Sequence, residues 1–129
     1  MNNNKIRKFP KDFYNFLDEN TLVEIKAGKE RENFTEIWMV RIGERVFARS
    51  WNKNSKGWMN EFLKNYGGKI KYGEKILNVN AKKIEKTDRI NAEISDVYLK
   101  KYTQDYNIEY AKGISHAEYY DYTIEFLNT

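Results

Sequence analysis

Ser55 and Lys56 stand where a polar loop turns into an amphipathic helix, a placement that could bind a phosphate. The first amides of a helix lack intrahelical partners and lie at the positive end of its dipole, so an anion is stabilised there. Lys53, Lys56 and Arg49 can add charge, and an arginine can hold two oxygens at once. The competing reading is structural: Ser55 only caps its helix, Lys56 is solvated and Arg49 pairs with a carboxylate. Two other groups invite chemistry. Tyr98, Lys101 and Tyr102 share a helix, and a buried lysine can lower the pKa of a neighbouring tyrosine for acid-base work; the same spacing also suits a packing tyrosine and a surface charge. His116 is the single histidine, so a metal site built on two imidazoles is excluded and any Ser-His-Asp arrangement depends on it alone.

Composition narrows the classes. The chain has no cysteine, which excludes disulfides, thiolate metal sites and a cysteine nucleophile. Its 129 residues have the length of one domain, and 16% aromatic content supplies large rings for a core. The expectation is a frayed segment over 1–8 and a single domain over 9–129. The net charge of +4 comes from 23 basic against 19 acidic residues. Lysines alternate with glutamates and no block of five like charges occurs, which favours a solvated mixed surface over a nucleic-acid stripe. The start, MNNNKIRKFPKDF, lacks the apolar run of a signal peptide, and no window is apolar for long enough to cross a bilayer. A cytoplasmic protein without membrane contact is expected.

The elements that must position these residues follow from pattern. Phe9-Pro10-Lys11-Asp12 opens a helix with Phe13, Phe16 and Leu17 on one stripe. Thr21 to Gly28 reads as a strand, and Gly28 to Thr35 as a charged loop. Ile37 to Ile42 and Arg45 to Ser50 form a hairpin around Gly43-Glu44, where a glycine first suits a type II′ turn. That register puts Trp38, Val40, Ile42, Arg45, Phe47 and Arg49 on one face, and Ile37, Met39, Arg41, Val46, Ala48 and Ser50 on the other. Both faces are largely apolar, as in a barrel wall whose outer side is covered by a helix or a second subunit. Ser55 is expected to cap a helix carrying Trp58, Met59, Phe62, Leu63 and Tyr66, stopped by a left-handed residue at Gly67-Gly68. Strands follow at Lys69 to Tyr72 and Lys75 to Ile84. Thr87-Asp88 starts a helix with Ile90, Ile94, Val97 and Tyr98 inward, reaching about Tyr102. The stretch from Gln104 to Ser115 is ambiguous, and Tyr119 to Leu127 alternates as a closing strand. The predicted fold is mixed α+β: a small antiparallel split β-barrel with three flanking helices.

The run IWMVRIGERVFARSW, Trp58, the segment Gly67-Gly68-Lys69-Ile70, the helix with Val97 to Tyr102 and the closing Tyr122 to Leu127 together resemble the domain of unknown function family 2255. The resemblance spans nearly the whole chain from about Phe9, through five separated motifs in order. That family looks like a relative of the split β-barrel superfamily of pyridoxamine phosphate oxidases, flavin reductases and deazaflavin-dependent reductases. It implies a split barrel of the FMN-binding type, commonly a homodimer with cofactor sites at the subunit interface. In oxidase-type relatives the hairpin leads into a Ser-Arg-Lys run that holds the flavin phosphate. The equivalent run here is Ser50-Trp51-Asn52-Lys53-Asn54-Ser55-Lys56-Gly57, one residue longer and with one basic residue after the serine. Trp38, Trp51 and Trp58 could stack on an isoalloxazine-like ring or serve as core or interface.

Two functional expectations follow. One is an oxidoreductase binding FMN or a deazaflavin, with Arg49, Ser50, Trp51, Lys53, Ser55, Lys56 and Trp58 around a phosphorylated small-molecule ligand. The other is a non-enzymatic homodimeric binding or interaction module without a cofactor. Nucleic-acid binding by exposed aromatics ranks last, and no reaction or catalytic residue is named by the sequence.

Overall fold

The computed structural model describes residues 7–28, 33–51, 53, 57–65 and 67–129. Pro10 caps α1 (Lys11–Glu19), its carbonyl accepting from the Phe13 N–H at 3.0 Å. Phe13, Tyr14 and Leu17 are buried, and Phe16 packs beside them. The chain before α1 is tied down as far back as Arg7, which donates to the Thr129 carbonyl at 2.8 Å.

Seven antiparallel strands follow: β1 (Val23–Ala27), β2 (Thr35–Ile37), β3 (Val40–Ile42), β4 (Arg45–Arg49), β5 (Gly68–Tyr72), β6 (Lys75–Lys83) and β7 (Thr123–Asn128). Their order across the sheet is β2-β1-β5-β6-β7-β4-β3. Only Trp38 and Met39 separate β2 from β3, yet these two strands are the opposite ends of that order. Three residue steps reach at most about 11 Å. The sheet must therefore curl until its ends approach, which gives a half-barrel.

The expected single strand from Ile37 to Ile42 is thus broken at Trp38-Met39. Its first part pairs with β1, Val23 opposite Ile37, and its second with β4, Ile42 opposite Arg45. Gly43, at φ 59°, opens the two-residue turn of that hairpin. The break leaves the backbone groups of Met39 without ladder partners, and buried backbone groups need replacements. The end of a helix supplies them: the Met39 N–H donates to the Tyr102 hydroxyl at 3.1 Å, and the Met39 carbonyl accepts from Lys101 Nζ at 2.6 Å.

The predicted facing of the hairpin holds. Ile37, Met39, Val46 and Ala48 join one core with α1 and α2 (Trp58–Lys64). Val40 and Phe47, with Trp38 and Ile42 at the margin, join a second core under α3 (Ile90–Lys101) and α4 (Ile108–Ile114). These two helices are what covers the outer face. The ambiguous stretch from Gln104 to Ser115 therefore contains a helix, and four α-helices stand where three were expected among the described residues.

Three boundaries also move. The closing strand starts at Thr123, because Ala117–Tyr122 winds into a 3-10 segment in which the Tyr119 N–H donates to the His116 carbonyl at 3.0 Å. Alternating tyrosines there imitate a strand pattern. α3 starts at Ile90, with the Asp88 carboxylate accepting from the Ile90 N–H at 3.0 Å. α2 starts at Trp58 with Gly57 at its cap, and Gly67 does not take the left-handed helical conformation expected of a stop, having φ 143°. Gly68 serves a close approach instead: a Cβ there would lie 2.1 Å from the Lys26 carbonyl oxygen.

Candidate functional site

The strand break, the end of β4 and the start of α2 enclose a groove of about 320 Å³. Trp38, Trp51 and Trp58 line it together with Arg49, Ser50 and Ile114, and Leu22, Thr35 and Glu36 form its other side. Four of the seven residues expected to bind a cofactor, Arg49, Ser50, Trp51 and Trp58, therefore meet at one place. Ser55 and Lys56 lie outside the described residues. Lys53 is turned towards the 3-10 segment, where it donates to Glu118 at 3.0 Å and sits over the Tyr119 ring at 4.6 Å. The Glu118 hydrogen bond raises the Lys53 pKa.

Each tryptophan is held from behind. Trp38 stacks on Tyr102 with ring centres 3.9 Å apart and planes 7° apart. Trp58 lies nearly parallel to Phe126 and edge-on to Phe62. Trp51, 43% exposed, meets Tyr119 and Tyr110 edge to face at 5.1 and 6.0 Å. A Cβ added at Gly113 would come within 2.9 Å of the Trp51 ring, so α4 passes this indole at a position without a side chain.

Arg49 is 2% exposed and none of its hydrogen-bond partners is a carboxylate. Nε donates to Thr123 Oγ1 at 2.9 Å; one terminal nitrogen donates to Ser95 Oγ at 2.7 Å and the Ile114 carbonyl at 3.1 Å. The other donates to the Asn91 carbonyl at 2.9 Å and its side-chain oxygen at 3.4 Å. All five N–H groups are thereby engaged by the protein. The Tyr120 ring sits 4.9 Å from the guanidinium carbon. Burial lowers the Arg49 pKa, and it pushes that of Tyr98, whose hydroxyl accepts from the Arg49 backbone N–H at 2.8 Å, up to about 12.

This arrangement presents three indoles to one groove, where a flat apolar ring can meet their faces or edges. It gives a phosphate less purchase, since Arg49 is fully committed and Lys53 is paired. Among the other groups weighed from sequence, Tyr98 and Tyr102 are buried and hydrogen-bonded to backbone, and His116 is exposed at the start of the 3-10 segment. Glu36 and Leu22 had no recognisable mark in the sequence, because only the curling of the sheet brings the β2 end to the groove at the end of β4.

Among the described residues, no helix is long and apolar enough to cross a membrane. No curated protein matches the chain. The family model described as "Uncharacterized protein conserved in bacteria (DUF2255)" matches residues 17–126. The chain, with its curled seven-stranded half-barrel and indole-lined groove, belongs to that family.

Proposed function

We propose that the groove receives the planar ring of a flavin or deazaflavin, and that the protein is a split-barrel oxidoreductase of the flavin-binding kind. The convergence of Trp38, Trp51 and Trp58 on one groove carries this reading. Indole faces and edges favour stacked or edge-on contact with another ring. A volume of about 320 Å³ is at the lower end of the roughly 300–1,000 Å³ typical of ligand sites, which suits a ring system better than a whole nucleotide. Hydride transfer is the chemistry such a ring supplies when bound. The residues of this chain would hold and orient it: Trp38 and Trp58 from their fixed stacks, Trp51 from the open side. The phosphate of FMN would call on Ser55 and Lys56.

Titration with riboflavin and with FMN, read by quenching of flavin and tryptophan fluorescence, tests the reading. Saturable quenching below about 100 µM is expected, weakened about tenfold in Trp51→Ala, the equivalent of one stacking contact. Equal affinity for the two would leave the phosphate in solvent, whereas tighter FMN binding would assign it to the Ser55–Lys56 segment. No quenching by either refutes the reading.

A second reading, a homodimeric interaction module without a cofactor, is favoured by the apolar surface beside the groove. Tyr106 is 74% and Tyr110 61% exposed, and Tyr110 touches Trp51. Sedimentation of the full chain decides it: a dimer that Tyr110→Asp converts to monomer, with no flavin bound, is the expected result for this alternative.

A further inference from the structure

Lys101 lines a second cavity of about 310 Å³ together with Leu17, Asp18, Arg41, Val97 and Lys100. Its stem is packed at the end of α3 and its Nζ is held by the Met39 carbonyl at 2.6 Å. The charged and titratable groups facing it come from three elements. Asp18, from α1, is clamped by Arg41 of β3 at 2.9 and 2.7 Å, and Arg41 lies over the Tyr14 ring. Lys100 and the Tyr102 ring, 5.3 Å from Nζ, come from the end of α3. Lys100 has no hydrogen-bond or ion-pair partner among the described residues. Arg41 already neutralises Asp18, so Lys100 leaves the cavity with an excess of positive charge.

We propose that Lys101 is a carbonyl-reactive amine and that its cavity takes a small anionic aldehyde or 2-oxo acid as an imine. A lysine becomes nucleophilic when it is desolvated, because burial favours the neutral amine. Burial brings the Lys101 pKa down to about 8, with Asp18 pulling weakly the other way. The amine nitrogen attacks the carbonyl carbon and a C–N bond forms, while one amine proton passes to the carbonyl oxygen. Loss of that oxygen as water, with the second amine proton, leaves the C=N bond, so amine plus carbonyl gives imine plus water without change of oxidation state. A proton taken up from solvent by the imine nitrogen restores one N–H, which suffices for the Met39 carbonyl. The carboxylate of the ligand would face Lys100. No residue lines both this cavity and the indole groove.

The test is reductive trapping of the full chain with glyoxylate and cyanoborohydride, followed by peptide mapping. Lys101 is expected to be labelled several-fold faster than Lys100 at pH 8, since burial leaves about half of it neutral there. The rate should half-rise near pH 8, and the adduct should vanish in Lys101→Arg. Lys100→Met should slow labelling by glyoxylate several-fold and leave labelling by uncharged glycolaldehyde unchanged. Labelling of Lys101 no faster than of Lys100 overturns the proposal, and this comparison needs only the unmodified sequence. Fast labelling that Lys100→Met slows equally for both probes, or for neither, overturns the anionic class of ligand.

Discussion

Replacing Arg49 with methionine should unfasten the outer helices from the sheet. The guanidinium joins β4 to α3 through Asn91 and Ser95, to α4 through Ile114 and to β7 through Thr123. Four of these bonds are 2.7 to 3.1 Å long. Bonds from a charged donor are each worth about 1.5–3 kcal/mol net, giving roughly 6–12 kcal/mol for the set. Removing the cation also relieves its desolvation, an opposing effect of several kcal/mol. Ser95 and Thr123 retain partners through their own hydroxyl protons, which donate to the Ser115 and Tyr119 carbonyls. The net loss for Arg49→Met is then about 3–5 kcal/mol. Urea unfolding at pH 7, followed by tryptophan fluorescence, should show the midpoint falling by about 2 M at an unchanged slope. Arg49→Lys, with three donors, should fall between the two. A loss under about 1 kcal/mol would refute the reasoning, because it would mean that the cage contributes nothing beyond what apolar packing supplies.

Glu125 is 1% exposed and bound at both oxygens by Arg45, so Arg45→Met should cost about 3–5 kcal/mol, and Arg45→Met with Glu125→Leu should recover most of it in the same unfolding assay. Gly68→Ala must move the β1 backbone, since its Cβ would meet the Lys26 carbonyl at 2.1 Å; a loss of about 3 kcal/mol or more is expected by thermal unfolding. Lys101 binds its proton less tightly when folded, at about pH 8, than its ordinary value of 10.5. The unfolded chain therefore holds more protons between these values, and the stability cost, roughly 3 kcal/mol, is fully present below pH 8 and disappears as pH rises towards 10.5. Lys101→Met should remove that rise, measured as urea midpoints from pH 7 to 10.

Local pattern was enough for much of the architecture. Alternation set the two faces of the hairpin, because a strand's side-chain period of two leaves one way to bury Val40 and Phe47 together. The stripe of α1 was equally plain from its 3.6-residue period, whereas in α3 Ile94 and Tyr98 were legible but Asn91 and Ser95, which share their buried face, were not. Elements whose local pattern admits two conformations were misread or left open: the tyrosines of 119–122, and the polar stretch from Gln104 to Ser115. Trp51 and Trp58 could be placed near each other by chain proximity. The sequence alone determined which residues are apolar, charged or aromatic, and which face of each element they share. Only tertiary structure decided that one strand divides between two ends of a sheet, since the partners that satisfy Met39 sit about sixty residues away on α3. It likewise decided that Arg49 is a buried hub rather than an open anion clamp, because its acceptors come from elements 42 to 74 residues distant and no local spacing brings them together.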